Sequence, residues 1–400
     1  MELGSRKLLL HYGRVVMLLK KRFGKVLALG LYFLFLTLWS SSVSGAERRE
    51  HGNLLFRWFK SQEYKGSEQN WAIVQDQRGL LYVGNNEGGV LEYDGERWRR
   101  IAVTENRIVR SLSVGESGVV YVGLVGDFGR LLPDKNGKLT YHSLTSLLGE
   151  NMPSFSDVYK TYTIGNTVYF CTTSYLFAYN ESERKLQTFR FPTVHAFLSF
   201  QWDDEVAVST FSDTVFRFAG RDFSPLVMRF SEEIPERQIY GMIPLGTDSV
   251  LLATNKCTFY ILSRNTGQVD ALPQNWGGAV IQGLREEEAV PYSLRLCPNG
   301  NIGVGFIFSE DIAYVELNRK GGVVYTAGVS SGLADPFAMD HLHTTDGSLW
   351  LSQNNGITKI EQQSAIRKFD ETNGVSGAVL DVQRFDGALY IGTMSGVQRL

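Results

Sequence analysis

The stretch Trp71-Ala-Ile-Val-Gln-Asp76-Gln-Arg-Gly79-Leu-Leu-Tyr82-Val-Gly84-Asn-Asn-Glu-Gly-Gly89-Val-Leu-Glu-Tyr93-Asp94-Gly95-Glu-Arg-Trp98 holds three short alternating apolar runs, separated by turns rich in Gly, Asp and Asn. A fourth run follows over Trp98–Val103. Alternation broken by such turns is the sequence form of antiparallel strands. The second run recurs down the chain as Gly118-Val-Val-Tyr121, Asn166-Thr-Val-Tyr169, Asp204-Glu-Val-Ala207, Asp248-Ser-Val-Leu-Leu-Ala253, Gly300-Asn-Ile-Gly303, Gly347-Ser-Leu-Trp350 and Gly387-Ala-Leu-Tyr390. Aligned on Tyr82, Tyr121, Tyr169, Ala207, Leu251, Gly303, Trp350 and Tyr390, the spacings are 39, 48, 38, 44, 52, 47 and 40, with a mean of 44.

Four strands every ~40–50 residues is the arithmetic of a β-propeller blade. A single blade cannot bury both of its faces, so neighbours must stack around an axis. The expected fold is therefore all-β, a propeller of four-stranded blades numbering about seven plus a partial eighth. No sustained helical periodicity follows residue 60, apart from one helical turn expected over Leu144–Leu148. The repeated Tyr82, Tyr121, Tyr169, Trp350 and Tyr390 are expected to pack between blades. Asp76, Gly79, Asp346 and Gly347 are expected to make hairpin turns. The repeats stop at Leu400, in the third strand of the eighth unit, which leaves an unpaired edge. Either the 400 residues are a fragment or Leu54–Phe59 supplies the missing strand, and the fragment is the preferred reading.

Composition narrows the function. The chain is 43% hydrophobic, 12% aromatic and 20% charged, which excludes wholesale disorder, and its length alone suggests two or three domains. Residues 1–46 carry seven Lys/Arg and one acidic side chain, leaving 33 basic and 41 acidic residues in the remainder, a net charge of −8. Such a body has no footprint for a nucleic-acid backbone. The basic start precedes an uncharged run, Val26–Trp39, and then Ser44 and Ala46 at the −3 and −1 positions of a cleavage site. A run of that length spans about 21 Å as a helix, short of the ~30 Å hydrocarbon core. Residues 1–46 are read as a cleaved export signal whose true start is Met17, residues 47–68 as an N-terminal extended segment and residues 69–400 as the propeller. Cys171, Cys257 and Cys297 fit either one disulfide plus a free thiol or three half-buried apolar residues in strands.

Within the first unit, Gln69-Asn70-Trp71 through Asp76, Gly79, Tyr82-Val-Gly-Asn85, Val90-Leu-Glu-Tyr93-Asp94-Gly95 and Trp98 resembles the opening blade of the two-component-regulator propellers. Ile108-Val-Arg110-Ser111-Leu112, Tyr121-Val-Gly123 and Gly126-Asp127-Phe128-Gly129 resemble that family's second blade, with Asp127 where Glu is more usual. The resemblance runs over residues 54–400 and is weakest over 195–300. It implies the periplasmic sensor half of a membrane signalling protein. Such a protein binds a small polar ligand, an oligosaccharide among the options, and relays the event to a C-terminal output domain. It also implies homodimerisation through the full-length receptor, and membrane attachment only through a downstream helix. The alternatives are an exported scaffold for protein–protein interaction and a propeller hydrolase or lactonase.

Chemistry is sparse in these residues. Thr344-Thr-Asp346-Gly347 lacks the sialidase box spacing, Trp202-Asp203 is not a series of repeat ends, and no Gly-x-Ser-x-Gly elbow occurs. His341 and His343 share one strand face and so could share a metal, but no third ligand is identifiable from sequence. The expectation is no catalysis within these residues, no metal and no cofactor. In a propeller the loops between second and third strands share one face with the loops linking blades. That face is expected to carry Asn85, Asn86, Arg107, Asp127 and Phe128, with Arg107 and Asp127 fixing polar groups and Phe128 stacking. Arg110 is expected on the strand lining the central channel, where a charge must face water or a partner. Export predicts that N-terminal sequencing of the mature protein reads from Glu47. A cytoplasmic chain beginning at Met1 would contradict it.

Overall fold

The computed structural model describes residues 52–400 apart from 152, 193–195, 211–213 and 232–237, so the export signal expected over 1–46 lies outside the described residues. Each alternating run forms a short strand, and each turn closes an antiparallel hairpin. Blade 1 comprises Asn70–Gln75, Leu81–Asn85, Gly89–Tyr93 and Trp98–Ile101, paired in chain order from the innermost strand outward. Asp76 sets the first turn, accepting hydrogen bonds from the Arg78 and Leu80 amides at 2.9 and 3.0 Å. Its other carboxylate oxygen takes the Tyr82 hydroxyl at 3.2 Å, which ties the turn to the core. The innermost strands of blades 2 to 6 are Val109–Val114, Lys160–Ile164, Ala196–Trp202, Ile239–Pro244 and Val290–Leu296. Blade 5 gains a further outer strand, Arg229–Phe230, pairing parallel to Gln268–Ala271.

Blade 7 is built from both ends of the ring. Asp340–His343, Leu349–Ser352 and Ile357–Ile360 supply three strands, and Phe56–Phe59 supplies the outermost, with Phe56 opposite Ile360 and Phe59 opposite Ile357. The Leu54–Phe59 region thus pairs with the seventh unit and not with the eighth. The innermost strands touch in a closed cycle of seven, blade 7 returning to blade 1. Asp340 adds a bond across that last seam, its Oδ2 accepting the Ile73 amide at 3.1 Å. The ring occupies Asn53–Asn373, and Gly374–Leu400 belong to a second unit. That segment forms a three-stranded sheet, Val379–Phe385, Ala388–Thr393 and Gly396–Arg399, on which Leu380, Phe385, Met394 and Val397 are exposed.

The core of the ring lies between blades. Each of seven buried apolar clusters among the described residues straddles one blade interface. Tyr82, Tyr121 and Tyr169 each join the cluster shared with the following blade, and Trp350 joins the one shared between blades 7 and 1. All three cysteines are free and fully buried. Thr145–Asn151 forms the expected helical turn, but the nine-residue helix Gly278–Glu286 has no counterpart in the sequence reading. It fills the link from blade 5 to blade 6, where the repeat spacing stretched to 52, and buries Ile281 and Leu284. Gly277 opens it at φ 79°, where a Cβ would lie 2.0 Å from Ile281. Among the described residues, no helix is long and apolar enough to cross a membrane.

Phe59 seals the ring. It stacks on Trp350 at 5.5 Å and meets Tyr93 and Trp98 edge-on at 5.3 and 5.4 Å, all between blades 7 and 1. Phe59→Ala is expected to cost about 3–5 kcal/mol in urea unfolding, as for a buried aromatic. Arg57→Ala, on an exposed side chain of the same strand, is expected to stay within about 0.5 kcal/mol.

Candidate functional site

One irregularity recurs at the start of the innermost strands. Register shifts fall between Asn70 and Ala72, Val109 and Ser111, Ala196 and Leu198, Ile239 and Gly241, and Pro291 and Ser293. Each bulge inserts one unpaired residue, and a bulge re-aims the side chain it carries. In four of these strands the inserted residues are Trp71, Arg110, Tyr240 and Tyr292. Blade 3 has no bulge, and there Tyr159 and Lys160 stand at the strand start. A regular scaffold thus delivers large aromatic and cationic residues to one end of the channel.

Those side chains interact across blades. The Arg110 guanidinium lies 3.9 Å over the Trp71 ring and 5.6 Å from the Tyr159 ring, and its Nε donates to Asp157 at 2.5 Å. Lys160 of blade 3 reaches to within 5.8 Å of the Tyr292 ring of blade 6. Burial pushes the Tyr292 phenol up to about 12, and Arg110, Tyr159, Asp340 and Tyr240 all act on it electrostatically. Burial also lowers Lys160 from its ordinary value, with Asp340 opposing. Lys160 makes no hydrogen bond or ion pair with any described residue, whereas Arg295 holds Asp340 by contacts of 2.6 and 2.8 Å. Burial opposes ionisation of Asp340, but Arg295 and Lys160 outweigh it and keep the carboxyl below its usual range. The channel mouth is thus an aromatic collar with one ion-paired cation, Arg110, and one cation, Lys160, that feels Asp340 without pairing to it.

A groove adjoins the collar between blades 1 and 2, lined by Asn86, Glu87, Asn106, Arg107, Val125 and Gly126. The Trp71 indole joins the two, since its Nε1 donates to Asn86 Oδ1 at 3.1 Å. Of the residues singled out from sequence, Asn86 and Arg107 line this groove and Arg110 stands in the collar. Arg107 is largely committed, donating to the Gly126 carbonyl at 2.8 Å and to Glu105 at 2.9 Å.

The other three residues turn inward, which corrects the expectation that they face a ligand. Asn85 is fully buried, and its side-chain amide is spent on Ser67, Asn70, Gly88 and neighbouring backbone. Asp127 is buried and accepts from the Phe128 amide at 2.8 Å, Ser143 Oγ at 2.7 Å and Thr145 Oγ1 at 3.2 Å. Phe128 is fully buried against Phe170 and Phe177 at 4.5 and 4.9 Å. The physical reason is a tight hairpin, in which Phe128 already pairs with Gly123 and so faces the blade interface. Trp71, Tyr159 and Tyr240 of the collar were missed, although the spacing of the strand starts was a signal. Trp71 to Arg110 is 39 residues and Tyr240 to Tyr292 is 52, matching Tyr82 to Tyr121 and Leu251 to Gly303.

No family model matches the chain, and no curated protein sequence matches it either. Solved structures do. The chain is similar to the extracellular domain of BT4673 from B. thetaiotaomicron, described as a hybrid two-component system and also as a one-component system. Identity is 16% and the TM-score 0.58, over 87% of this chain and 46% of that one. It is also similar to the WD40 β-propeller domain of Doa1, at 10% identity and TM-score 0.55 over 79% of this chain and 98% of that one. Streptogramin B lyase matches at 12% identity and TM-score 0.58 over 77% and 98%. The fold is a β-propeller. At these identities the likeness establishes that architecture, and this chain spans about half the length of BT4673's extracellular domain.

Asp127→Ala should lower stability by about 1–3 kcal/mol, the cost of stranding buried donors, as measured by denaturant unfolding. Arg107→Ala, at the groove, should change stability by less than about 1 kcal/mol.

Proposed function

We propose that the ring is the ligand-sensing part of an exported signalling protein, and that it takes an acidic oligosaccharide at the channel mouth. The observation that carries this reading is the repeated bulge, which gives up regular pairing in four blades to present Trp71, Arg110, Tyr240 and Tyr292 at one end of the channel. Aromatic faces suit the apolar faces of sugar rings, and nearby amides suit their hydroxyls. Lys160 adds a partly desolvated positive charge that is attracted by Asp340 but makes no ion pair with a described residue, which favours a ligand that brings a carboxylate or sulfate of its own. The likeness to BT4673's extracellular domain supports a sensing role and an extracytoplasmic location. Relay to an output domain and dimerisation through a full-length receptor belong to the same reading. Among the described residues the lining is aromatic and cationic, a set suited to binding, and the reading is binding without turnover.

The test is calorimetric titration of the purified ring with neutral and uronate-containing oligosaccharides, alongside indole fluorescence. Acidic oligosaccharides should bind more tightly, with an affinity that falls as salt rises. Lys160→Met should remove at least tenfold of the preference for acid, and Trp71→Ala should weaken both classes. A folded wild-type ring that binds no sugar in either class overturns the glycan assignment, and equal binding of both classes overturns the role of Lys160.

A further inference from the structure

Between blades 6 and 7, away from the groove, Cys297, Glu316 and His343 converge. Cys297 follows the innermost strand of blade 6, Glu316 sits in that blade's third strand, Ile312–Leu317, and His343 ends the innermost strand of blade 7. One ligand atom of each, the Cys297 thiol, a Glu316 carboxylate oxygen and a His343 ring nitrogen, lie within 4.8 Å of one another. Cys297 and Glu316 are 4% and 3% exposed. The Glu316 carboxylate is already oriented, since its Oε1 accepts from Asn299 and Asn301 at 2.8 and 2.6 Å, leaving Oε2 directed at His343 Nε2, 3.8 Å away. His343 Nε2 is buried and has no hydrogen-bond partner.

A second, independent feature points into the same space. His341 is fully buried, and its Nε2 also lacks a partner. Ser293 Oγ donates to Asp340 at 3.0 Å, which uses its single hydrogen, so the 2.9 Å contact to His341 Nδ1 requires that Nδ1 carry the proton. His341 Nε2 is therefore a bare lone pair, held in a fixed ring orientation. It faces Gly303, where a Cβ would stand 2.6 Å from His341 Nε2, 2.7 Å from the Tyr314 hydroxyl and 3.2 Å from Cys297 Sγ. The missing side chain at Gly303 lets a thiol, a phenol and an acceptor nitrogen pack closely against its backbone. A buried polar atom without a partner costs free energy, and His341 Nε2 and His343 Nε2, two residues apart on one strand, both lack a hydrogen bond.

We propose that this cluster is a zinc site, with Cys297 Sγ, His343 Nε2 and Glu316 Oε2 as its protein ligands. Thiolate, imidazole and carboxylate together are a borderline-soft donor set that suits zinc. In tetrahedral zinc the donor atoms lie about 3.3–3.8 Å apart, so a contraction of roughly 1 Å completes the coordination. A water in the fourth position would supply the hydrogen that His341 Nε2 lacks. The chain Asp340–Ser293–His341 then acts as the outer shell that fixes this water. The metal ties the third strand of blade 6 to the innermost strand of blade 7, next to the seam through which the ring closes. The site rests on different residues from those of the sugar reading and stands or falls separately.

The purified chain is stripped with a chelator, reloaded with zinc or cobalt, and assayed by elemental analysis, absorption spectroscopy and thermal melting. One equivalent of metal should remain after desalting, and zinc should raise the melting temperature by several degrees. Cobalt should give a thiolate charge-transfer band and tetrahedral visible bands. Cys297→Ser should abolish the charge-transfer band, His343→Gln should lower affinity at least tenfold, and Cys171→Ser should leave both unchanged. Wild-type protein that is folded by circular dichroism and retains no stoichiometric metal overturns the site, as does a charge-transfer band that survives Cys297→Ser. If Cys297→Ser fails to fold, the wild-type stoichiometry and cobalt spectrum still decide.

Discussion

A four-stranded blade has two apolar faces and two edges, and a ring of blades is stable only when the last face meets the first. Here that constraint is met by a short piece of the N-terminal segment. Phe56–Phe59 pairs on the outer edge of blade 7 and sends Phe59 into the seam with blade 1, against Trp350, Tyr93 and Trp98. The strand couples the beginning of the ring to its end, so opening the ring requires breaking a sheet edge and an aromatic cluster together. Propeller interfaces otherwise see only their neighbours, and such architectures gain cooperativity where the ends are tied.

Closure also explains where chemistry is possible. Tyr82, Tyr121 and Tyr169 are absorbed into seams, Phe128 joins the seam between blades 2 and 3, and Asp127 is held within blade 2 by Ser143. What escapes burial is the strand start, where a bulge lifts one residue out of the ladder. Because the innermost strands converge on the axis, Trp71, Arg110, Tyr240 and Tyr292 from separate blades come together at the channel mouth. The second unit repeats the device in its own first strand, where the register shifts around Leu380. The bulge is thus a property of the repeat, and its side chain is the variable part.

The two regions of buried polar chemistry share one link. Asp340 accepts from the Ile73 amide and from Arg295 near the channel, and through Ser293 it fixes the His341 ring beside the Cys297 cluster. A carboxylate with so many donors is a packing element as much as a charge. It joins blades 6, 7 and 1 where the ring closes.

Much of this was legible in the chain itself. The 44-residue mean spacing determined the blade and its approximate number of copies, because strand alternation and turn residues are local signals. The stretched spacing of 52 marked the insertion, although the helix Gly278–Glu286 was hidden by its flanking glycines and short length. The identity of the closing strand was not legible, since Phe56–Phe59 pairs with a partner some 300 residues away and pairing at that separation leaves no local pattern. Nor was the inward turn of Asn85, Asp127 and Phe128, because a one-residue difference in hairpin register decides which face a side chain takes. His341 and His343 announced a shared face through their spacing of two, but only the packing of blade 6 against blade 7 brought Cys297 and Glu316 to meet them. Sequence determined the repeating unit because its signals act over a few residues; tertiary structure decided the sites because each is assembled from several blades.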